Sequence, residues 1–409
     1  MNIKYFMKKN LCIGAIFKNE YPYILEWIAW HKLCGFDKII IADNGSDDGT
    51  RELLQALDDL GEINLIYQPK ISAVSTSQFT AYDRIVNQFC PECYAILFID
   101  ADEFVENDED DLSSVNRTIL SLFDIPNVGA IGLNWRTYGS SDKMVYEDDY
   151  VVKRFTWHKD DEDKGCSVNN HLKTVFISKN YAKAHCHSPQ IYSGNYIYSN
   201  GERLTFCDIR FGWSNPPETY IKTGVSYKIC KCHLRVNHYV IKSFQEYTER
   251  KSLRGRADTV ATDPEYNDRN IVFFKNNDFK DCNRLISEKK LLLLDEKVKL
   301  LKDKINIYGF YDKYIGAIES VSQLGFSGWI ANVNGSSENI KINVFVNGIH
   351  VGYTTPCFYR RNLINQGISI DGIAGFRFSF QTLLKSGDEV LIQIHGRLFQ
   401  FSNAKYIMV

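Results

Sequence analysis

The sequence lacks the glycine motifs of two common nucleotide-binding folds. No GxGxxG follows the first apolar run, residues 11–17, and no GxxxxGK[ST] occurs, which argues against a dinucleotide-binding fold and a P-loop. Neither sign of charge is in excess, because the chain has 48 Lys and Arg and 50 Asp and Glu, which give a net charge of -2. Nothing in this balance favours nucleic acid or an anionic surface, so we expect binding at local sites and no nucleic-acid partner.

Long hydrophobic runs and the paired C-x-x-C spacing of a zinc finger are also missing. Polar residues 18–20 interrupt the first apolar run, which is too short for a signal-peptide core or a membrane span. The 11 cysteines are odd in number and scattered; Cys90 and Cys93 flank a proline, and Cys230 and Cys232 alternate along a predicted strand. We expect free thiols in a reducing cytosol, and a cytoplasmic protein that is either fully soluble or peripheral to the inner face of the membrane.

What the sequence does contain is a regular alternation of predicted strands and helices. The predicted elements are a strand over 11–17, a helix over 23–33, a strand over 38–42, a helix over 51–60 and a strand over 63–67. Such alternation predicts an α/β domain with a mainly parallel sheet. Because ligands bind at the carboxyl ends of parallel strands, the polar segments that follow these strands should converge on one edge.

An apolar strand that ends in three carboxylates is the strongest functional signal. Residues 95–99 are apolar and run directly into Asp100, Ala101, Asp102 and Glu103. Asp100 and Asp102 point to the same side of an extended backbone and offer the hard oxygen ligands that Mg2+ or Mn2+ prefers. A solvated acidic turn is the alternative, since Asp-x-Asp is a very short motif.

Three stretches in this order resemble the GT-A glycosyltransferases of family 2 and, more closely, those of family 92 and their bacterial relatives. They are KNE with E-W-I-x-x-H (residues 18–31), D-N-x-S-x-D-x-T (43–50) and F-I-D-x-D-E-F (98–104). Further matching motifs, including residues 135–141, 171–174 and the His238-Tyr239 pair, extend the resemblance to about residue 260. The resemblance implies a GT-A fold, a nucleotide-sugar donor, a divalent metal on the Asp-x-Asp motif and inversion at the anomeric carbon.

The same resemblance implies which residues contact the donor nucleotide. They follow the predicted strands, lie on the helix before the acidic strand, or come later in the chain: Lys18, Asn19, Glu20, Asp43, Asn44, Asp48, Gln78, Tyr82, Arg84, Asp100 and Lys242. Gln78 and Tyr82 are four residues apart and should share a helix face. Alternatives are open for three of them: Glu20 could serve the helix dipole, Asp48 could cap the next helix, and Arg84 could be a solvated charge.

The metal and the general base are predicted with unequal support. Asp102 would bind the metal directly, and Asp100 would bind the metal or a water molecule on it. His238 would be a further metal ligand, with His187 as the alternative. Lys242, Lys251 and Arg254 could neutralise the leaving diphosphate. Three acids remain open as general base, namely Asp142, Asp208 and Glu246, while Glu103 could orient the acceptor or a metal-bound water. Trp135, Tyr138 and Trp213 could stack on an acceptor or pack in the core.

The last part of the chain has a different character. Residues 287–305 show leucines at 3-4 spacing, which predicts a helix that docks on a neighbouring domain or, alternatively, dimerises. Short alternating runs over 316–409, with Asn347-Gly348 as a hairpin turn, predict a small all-β sandwich. Its Ser-Gly-Trp-Ile at 327–330 resembles a module appended to bacterial polysaccharide glycosyltransferases. We expect this module to bind the acceptor glycan, to bind a partner or to mediate self-association; the alternative is a purely structural cap.

Together these observations predict three regions: a catalytic domain over 1–265, a helical linker over 266–312 and a β-sandwich over 313–409. The expected reaction is metal-dependent transfer of a hexose to a saccharide acceptor. Galactose from UDP-galactose is the first donor that we expect, and the acceptor, which could be lipid-linked, would belong to a cell-surface polysaccharide or lipooligosaccharide. A nucleotidyltransferase and a glycan-binding protein with a degenerate transferase domain are the alternatives. A nucleotidyltransferase would normally show a basic glycine-rich loop after the first strand, which this sequence lacks. The intact Asp-x-Asp motif argues against a degenerate transferase domain.

Overall fold

The computed structural model describes residues 9–68, 77–161, 167–207, 224–253, 269–308, 314–332, 337, 340–394 and 400–407. Three residues that the sequence singles out, Asp208, Trp213 and Arg254, lie outside these ranges. The chain divides into two compact units. The first comprises Met1–Lys143 and Asp149–Lys304, and the second comprises Met144–Asp148 and Ile305–Val409.

A mixed sheet organises the first unit. The strands of this unit are β1 (Leu11–Phe17), β2 (Lys38–Asp43), β3 (Asn64–Tyr67), β4 (Ala95–Phe98), β5 (Glu103–Glu106), β6 (Val128–Thr137), β7 (Trp157–His158), β8 (Leu172–Ile177), β9 (Tyr181–Lys183), β10 (Gln190–Ile191), β11 (Asn195–Tyr198), β12 (Arg235–His238) and β13 (Cys282–Asn283). Two short pairs, β9 with β10 and β7 with β13, are separate from the mixed sheet. Among the described residues, the sheet has the order β3-β2-β1-β4-β8-β6-β12-β5, with β11 on β6. Strands β1 to β4 pair in parallel, whereas β8 is antiparallel to β4 and β6. The predicted α/β fold is confirmed.

Helices cover the faces of this sheet. They are α1 (Ile24–Leu33), α2 (Thr50–Asp59), α3 (Ser77–Phe89), α4 (Ser114–Leu122), α5 (Val151–Arg154), α6 (Phe244–Glu246), α7 (Ile271–Asn277) and α8 (Glu288–Tyr308), with a π-helical turn at Tyr247–Lys251. Helix α2 illustrates why they form where they do, because its leucines recur on one face and are buried while Arg51 and Glu52 face solvent. None of the helices within the described ranges is long and apolar enough to cross a membrane.

The core of the first unit lies between the sheet and helix α3. Tyr82 of α3 stacks on Phe98 at the end of β4, with ring centroids 3.9 Å apart and planes 2° apart. Gly14 of β1 makes room for the Phe98 ring, since a Cβ atom at this position would lie 2.9 Å from it. This close packing fixes the end of β4, from which the acidic residues project.

Two cysteine pairs correct the expectation of free thiols. Cys12 of β1 is joined to Cys93, just before β4, and Cys230 is joined to Cys232. The second pair also explains why the strand predicted over 228–236 begins only at Arg235. Residues two apart in an extended strand have Cα atoms about 6.6 Å apart, whereas this disulfide holds them at 5.4 Å.

Helix α8 docks on the first unit through one buried face, as its leucine spacing predicts. Leu294 and Val298 are 0% and 3% exposed. Lys290 donates to Glu106 Oε1 at 2.7 Å and to the carbonyl oxygen of Asn107 at 2.9 Å. An apolar face and a buried ion pair therefore attach α8 to the end of β5.

We expect Leu294→Ala to lower the free energy of unfolding by about 2–5 kcal/mol, because it leaves a cavity under α8. Leu292→Ala is the matched control: this leucine of the same helix is 64% exposed, and its loss should cost less than about 0.5 kcal/mol. Urea denaturation of both variants measures the difference. Equal effects of the two substitutions would contradict the docking of α8.

The second unit is an all-β sandwich, as predicted. Its elements are β14 (Tyr314–Ser322), β15 (Gly325–Asn332), β16 (Ile342–Val346), β17 (Ile349–Thr354), β18 (Phe358–Tyr359), α9 (Arg361–Asn365), β19 (Ile373–Ser379), β20 (Glu389–Ile394) and β21 (Gln400–Ile407). Two antiparallel sheets, β14-β15-β19-β18 and β17-β16-β20-β21, contribute to one apolar core. Asn347 and Gly348, with φ of 52° and 77°, form the predicted hairpin turn between β16 and β17.

Candidate functional site

A tight turn after β4 carries the acidic residues. The Ile99 N–H donates to the carbonyl oxygen of Gly14, which continues the pairing of β4 with β1 by one residue. The Glu103 N–H then donates to the carbonyl oxygen of Asp100, and the Glu103 side chain accepts from the Asp100 N–H at 2.8 Å. These reciprocal hydrogen bonds fix Asp100, Asp102 and Glu103 in one compact group.

Lys173 of β8 neutralises part of this group from below the surface. Its side chain is fully buried, and Nζ donates to Asp100 Oδ2 at 2.7 Å while lying 3.3 Å from Glu103 Oε2. Gln78 of α3 donates to the other Asp100 oxygen at 2.9 Å and also to the Tyr82 hydroxyl, which confirms that Gln78 and Tyr82 share a helix face. Both Asp100 oxygens therefore have protein partners.

Glu103 differs from its neighbours in its electrostatics. Burial raises the pKa of Glu103 to about 8, since the lowering effect of the Lys173 ammonium is offset by the charges of Asp100 and Asp102. Glu103 Oε1 has no hydrogen-bond partner within the described part of the chain. A buried carboxyl group with one open oxygen can hold a proton, and the orienting role of Glu103 stays a prediction.

Asp102 lies beside His238, the histidine of the predicted His-Tyr motif. Strand β12 pairs His238 with Glu103 on one side and with Thr137 on the other, which brings His238 Nε2 to 3.7 Å from Asp102 Oδ1. The Lys251 ammonium forms an ion pair with Asp102 Oδ2. Burial by itself would raise the pKa of Asp102, but the Lys251 ammonium above all outweighs it and holds that pKa well below its usual range. Burial lowers the pKa of His238 to about 3, so its ring is neutral at pH 7.

The donor atoms of Asp102 and His238 suit a divalent cation. Within the described ranges, no three His, Cys, Asp or Glu side chains come together as a complete metal site. A carboxylate oxygen and a neutral imidazole nitrogen are nevertheless the ligands that Mn2+ accepts, and hard cations commonly take few protein ligands besides substrate phosphates. Both oxygens of Asp100 already have protein partners, whereas His238 Nε2 lies 3.7 Å from Asp102 Oδ1. The geometry thus favours the pair of Asp102 and His238 over Asp100, and His187 stays the alternative ligand.

A pocket rich in cations opens next to this pair. Its lining residues are Glu20, Tyr23, Val240, Ile241, Lys242, Glu246, Arg250 and Lys251. Lys242 adopts a left-handed backbone with φ of 56°, and its ammonium lies 4.4 Å from the centre of the Tyr23 ring. Lys242, Arg250 and Lys251 thus line one small cleft, which they share with the carboxylates of Glu20 and Glu246.

The segments after β1 and β2 interlock as the strand order requires. The Asn19 side chain exchanges two hydrogen bonds with Asp47, at 2.8 and 3.0 Å. Asp48 accepts from the N–H of Thr50, the first residue of α2, and from Arg250 at 2.8 Å. Since Arg250 also donates to the Asn19 carbonyl oxygen, it ties both segments to the cationic pocket.

The other predicted nucleotide contacts lie along the same edge. Asp43 is fully buried and accepts from the Ser46 N–H at 3.2 Å, and Asn44 Oδ1 has no partner among the described residues. Glu20 lines the pocket, and Lys18 directly follows β1. Arg84 donates to the Tyr67 carbonyl oxygen at 2.8 Å and to Gln68, at the end of β3. Their roles towards a nucleotide stay predictions.

Of the three acids considered as general base, two can be placed. Asp142 has a side chain that is 71% exposed and ion-paired with Lys280. Glu246 accepts from both Arg154 nitrogens, at 2.8 and 2.9 Å, and from the Tyr23 hydroxyl at 2.8 Å. Burial would raise the pKa of Glu246, but Arg154 above all holds it at about 2. An acid with this pKa and this many partners holds the fold together and is poorly suited to accept a proton.

Glu26 of α1 has the opposite electrostatics in the same region. Its buried carboxylate accepts from the N–H groups of Val151 and Val152, at 2.9 and 3.1 Å, where α5 begins. Burial raises the pKa of Glu26 to about 7, because these hydrogen bonds and Arg154 compensate only part of the desolvation. Stability should therefore depend on its protonation.

We expect Glu26→Gln to reduce the loss of stability between pH 5 and pH 8. The folded-state pKa of about 7 exceeds the ordinary value of 4.5, so the contribution is fully present below pH 4.5 and is lost as pH rises through 7. For one group this loss amounts to about 2–3 kcal/mol. Urea denaturation at both pH values measures it, with Glu52→Gln on the exposed side of α2 as control. The same pH slope in Glu26→Gln and the native protein would contradict the assignment.

Sequence reasoning missed two residues that the structure brings to this edge. Lys173 is fully buried, and Arg250 joins the segments after β1 and β2. A lysine inside the apolar run 172–177 was an available signal, since buried lysines are rare unless paired. Arg250 gave no such signal, because its importance depends on a partner 202 residues away. Gln68, in the polar segment after the predicted strand 63–67, was expected at this edge and is fully buried there.

Comparison with known proteins adds a family. Residues 10–268 match the family model of glycosyltransferase family 92. A glycosyltransferase family 92 protein of Arabidopsis thaliana is 29% identical over 98 residues, which are 24% of this chain and 16% of that protein. One of Ricinus communis is 31% identical over 99 residues, with the same shares. The chain thus matches less than a fifth of the length of these curated relatives.

Solved structures show only remote similarity. S. aureus TarS in complex with UDP-GlcNAc is 12% identical, with a TM-score of 0.27, over 41% of this chain and 45% of that chain. Glucosyl-3-phosphoglycerate synthase from Mycobacterium tuberculosis, in complex with Mn2+, UDP and glucosyl-3-phosphoglycerate, is 16% identical, with a TM-score of 0.23, over 32% and 45%. TM-scores this low do not support an assignment, so the family of this chain is assigned from the match over residues 10–268.

Proposed function

The chain belongs to glycosyltransferase family 92, and from this premise we propose that it transfers a hexosyl group from a UDP-sugar to a hydroxyl group of a saccharide. UDP-galactose is the first donor that we propose, on the family resemblance. The proposed acceptor belongs to a cell-surface polysaccharide or lipooligosaccharide, and the proposed reaction inverts the anomeric carbon. The observation that carries the proposal is the Asp102–His238 pair, 3.7 Å apart at a parallel strand end and next to a cationic pocket.

In this proposal Asp102 and His238 would hold a divalent cation, Mn2+ or Mg2+. When bound, such an ion supplies positive charge that stabilises the departing diphosphate. The protein contributes further positive charge of its own from Lys242, Arg250 and Lys251, which line the adjacent pocket. Lys251 is paired with Asp102 and is therefore in place to pass from that carboxylate to a donor phosphate.

Asp100 has a different part in the proposed site. Its carboxylate is held by Lys173 and Gln78 at fixed distances of 2.7 and 2.9 Å. An immobilised carboxylate beside the metal pair is suited to accept from the donor ribose, a role that needs position more than free charge. The segments after β1 and β2, interlocked through Asn19 and Asp48, would hold the nucleoside.

A thermal-shift panel of nucleotide-sugars tests the proposal, with Mn2+ present or replaced by EDTA. We expect UDP-sugars to raise the melting temperature with Mn2+, because a ligand at 100 times its Kd stabilises the folded state by about 2.7 kcal/mol. GDP-mannose is the comparison donor. If no UDP-sugar shifts the melting temperature or is hydrolysed with Mn2+, the proposed function fails. Stabilisation by a nucleoside triphosphate with a sugar phosphate would favour a nucleotidyltransferase instead.

A further inference from the structure

Four rings form a continuous surface next to the Asp102–His238 pair, and we call it the Trp135 wall: Trp135, His171, His187 and His238. The Trp135 ring stacks on His171, with centroids 4.8 Å apart and planes 17° apart. The centroids of His238 and His187 lie 4.2 and 5.2 Å from that of Trp135. Trp135, His171 and His187 are each half-buried, so the wall retains a surface that a ligand can reach.

The sheet places this wall on the side of Asp102 opposite the predicted nucleotide segments. Strands β1, β2 and β3 lie on one side of β4, and β8, β6 and β12 lie on the other. Trp135 is on β6, His171 directly precedes β8, and His238 is on β12. A transfer reaction needs a second substrate on the far side of the donor, and the wall occupies that place.

The polar atoms of the wall match hydroxyl groups, which both donate and accept hydrogen bonds. His171 Nδ1 and His187 Nδ1 each lie 3.0 Å from a backbone carbonyl oxygen, which can only accept. Both Nδ1 atoms therefore carry a proton, and in the neutral rings Nε2 is an acceptor. Burial lowers the pKa of His171, which keeps that ring neutral at pH 7.

Two donors at the wall complement these acceptors. Trp135 Nε1 and the Thr137 hydroxyl are buried and have no hydrogen-bond partner in the part of the chain that the structure describes. Thr137 is the register partner of His238 on β12 and is 1% exposed. Buried polar groups without partners are rare in folded proteins, so these atoms call for a ligand.

We infer that the Trp135 wall is the acceptor subsite and that it takes an uncharged pyranose. The apolar face of the sugar packs on the exposed part of the wall, and its hydroxyl groups exchange hydrogen bonds with His171, His187 and Thr137. Lys173, the lysine that acts electrostatically on His171 and His187, is fully buried and paired with Asp100 and Glu103, so it does not offer a free charge to a carboxylate or phosphate of the acceptor. This inference rests on the proposed function, and it names the substrate class of the second half of that site.

Saturation-transfer NMR on the full chain with UDP and Mn2+ tests the subsite. The probes are methyl glycosides of galactose, glucose and mannose, with methyl glucuronide as the charged comparison. We expect transfer from the protein to at least one neutral glycoside, and at least a tenfold weaker affinity for it in Trp135→Leu. Trp157→Leu, at a half-buried tryptophan of β7, is the matched control and should bind as the native protein does.

UDP-induced thermal shift in each variant separates this inference from the proposed function. An unchanged UDP shift in Trp135→Leu, together with loss of the glycoside signal, supports the subsite. If Trp135→Leu does not fold, His171→Phe keeps a flat ring against Trp135 and removes Nε2, and it should weaken glycoside binding about fivefold or more. Undiminished glycoside binding in the folded wall variant, no signal from any neutral glycoside, or preference for the glucuronide would each overturn the inference. Absence of any UDP shift in the native protein would instead count against the proposed function.

Discussion

Asp102→Asn is expected to lower kcat for sugar transfer about 10³-fold, the size of effect seen when one preorganised electrostatic group is removed from an active site. Asparagine has nearly the same shape, so the packing around the turn after β4 should persist. What is lost is the negative charge that faces both Lys251 and His238. Steady-state transfer from the UDP-sugar that gives the largest thermal shift measures the effect.

Asp111→Asn is the matched control for this prediction. Asp111 is an exposed aspartate of the same unit, 2.8 Å from Arg117, and its substitution should leave kcat within about twofold. Full transfer activity in Asp102→Asn would contradict the proposed site. His238→Ala adds a second readout, since an unchanged Mn2+ affinity in that variant would remove His238 from the metal site.

Lys173→Met is expected to lower the free energy of unfolding by about 3–5 kcal/mol, as when one partner of a buried ion pair is removed. The lysine is fully buried and lies between Asp100 and Glu103, at 2.7 and 3.3 Å. Without it, the buried Glu103 carboxylate faces the half-buried Asp100 carboxylate, and within the described ranges Gln78 is the one side chain that still donates to them. Urea denaturation at pH 8 measures the loss.

Two controls sharpen this second prediction. Lys153→Met removes a lysine whose side chain is 52% exposed and should cost less than about 0.5 kcal/mol. Combining Lys173→Met with Asp100→Asn and Glu103→Gln should recover much of the loss, because no buried charge is then left without a counter-charge. The deficit of Lys173→Met should also shrink at pH 5, since Glu103 already has a raised pKa and takes up a proton there. A variant as stable as Lys153→Met would show that Lys173 has no such role.

Local pattern was sufficient where each element buries its own side chains. The strand over residues 11–17 and the helices near 24–33 and 50–59 were predicted within one or two residues, because apolar spacing and turn residues act at short range. The predicted strand over 228–236 was wrong in its first part, where the Cys230–Cys232 link replaces extended backbone. That link was a property of two side chains which the alternation pattern did not reveal.

The candidate site was predictable to a smaller extent. Asp102 and His238 were named from motifs, and the structure brings them to 3.7 Å from each other. The preference against Glu246 as the base could not come from sequence, because it depends on Arg154, 92 residues earlier in the chain. The same holds for Arg250 and Asp48, whose contact spans 202 residues.

By itself the sequence determined the α/β class, the acidic end of β4 and the family of the catalytic region, since these depend on local periodicity and short motifs. Tertiary structure alone decided how the charges are distributed. It placed Lys173 beneath Asp100 and Glu103, brought Lys251 to Asp102, and assembled the Trp135 wall from β6, β12 and the segments that precede β8 and β10. The physical reason is that the pairing of charges and rings depends on which strands are neighbours in the sheet, and that order is set by the packing of the whole unit.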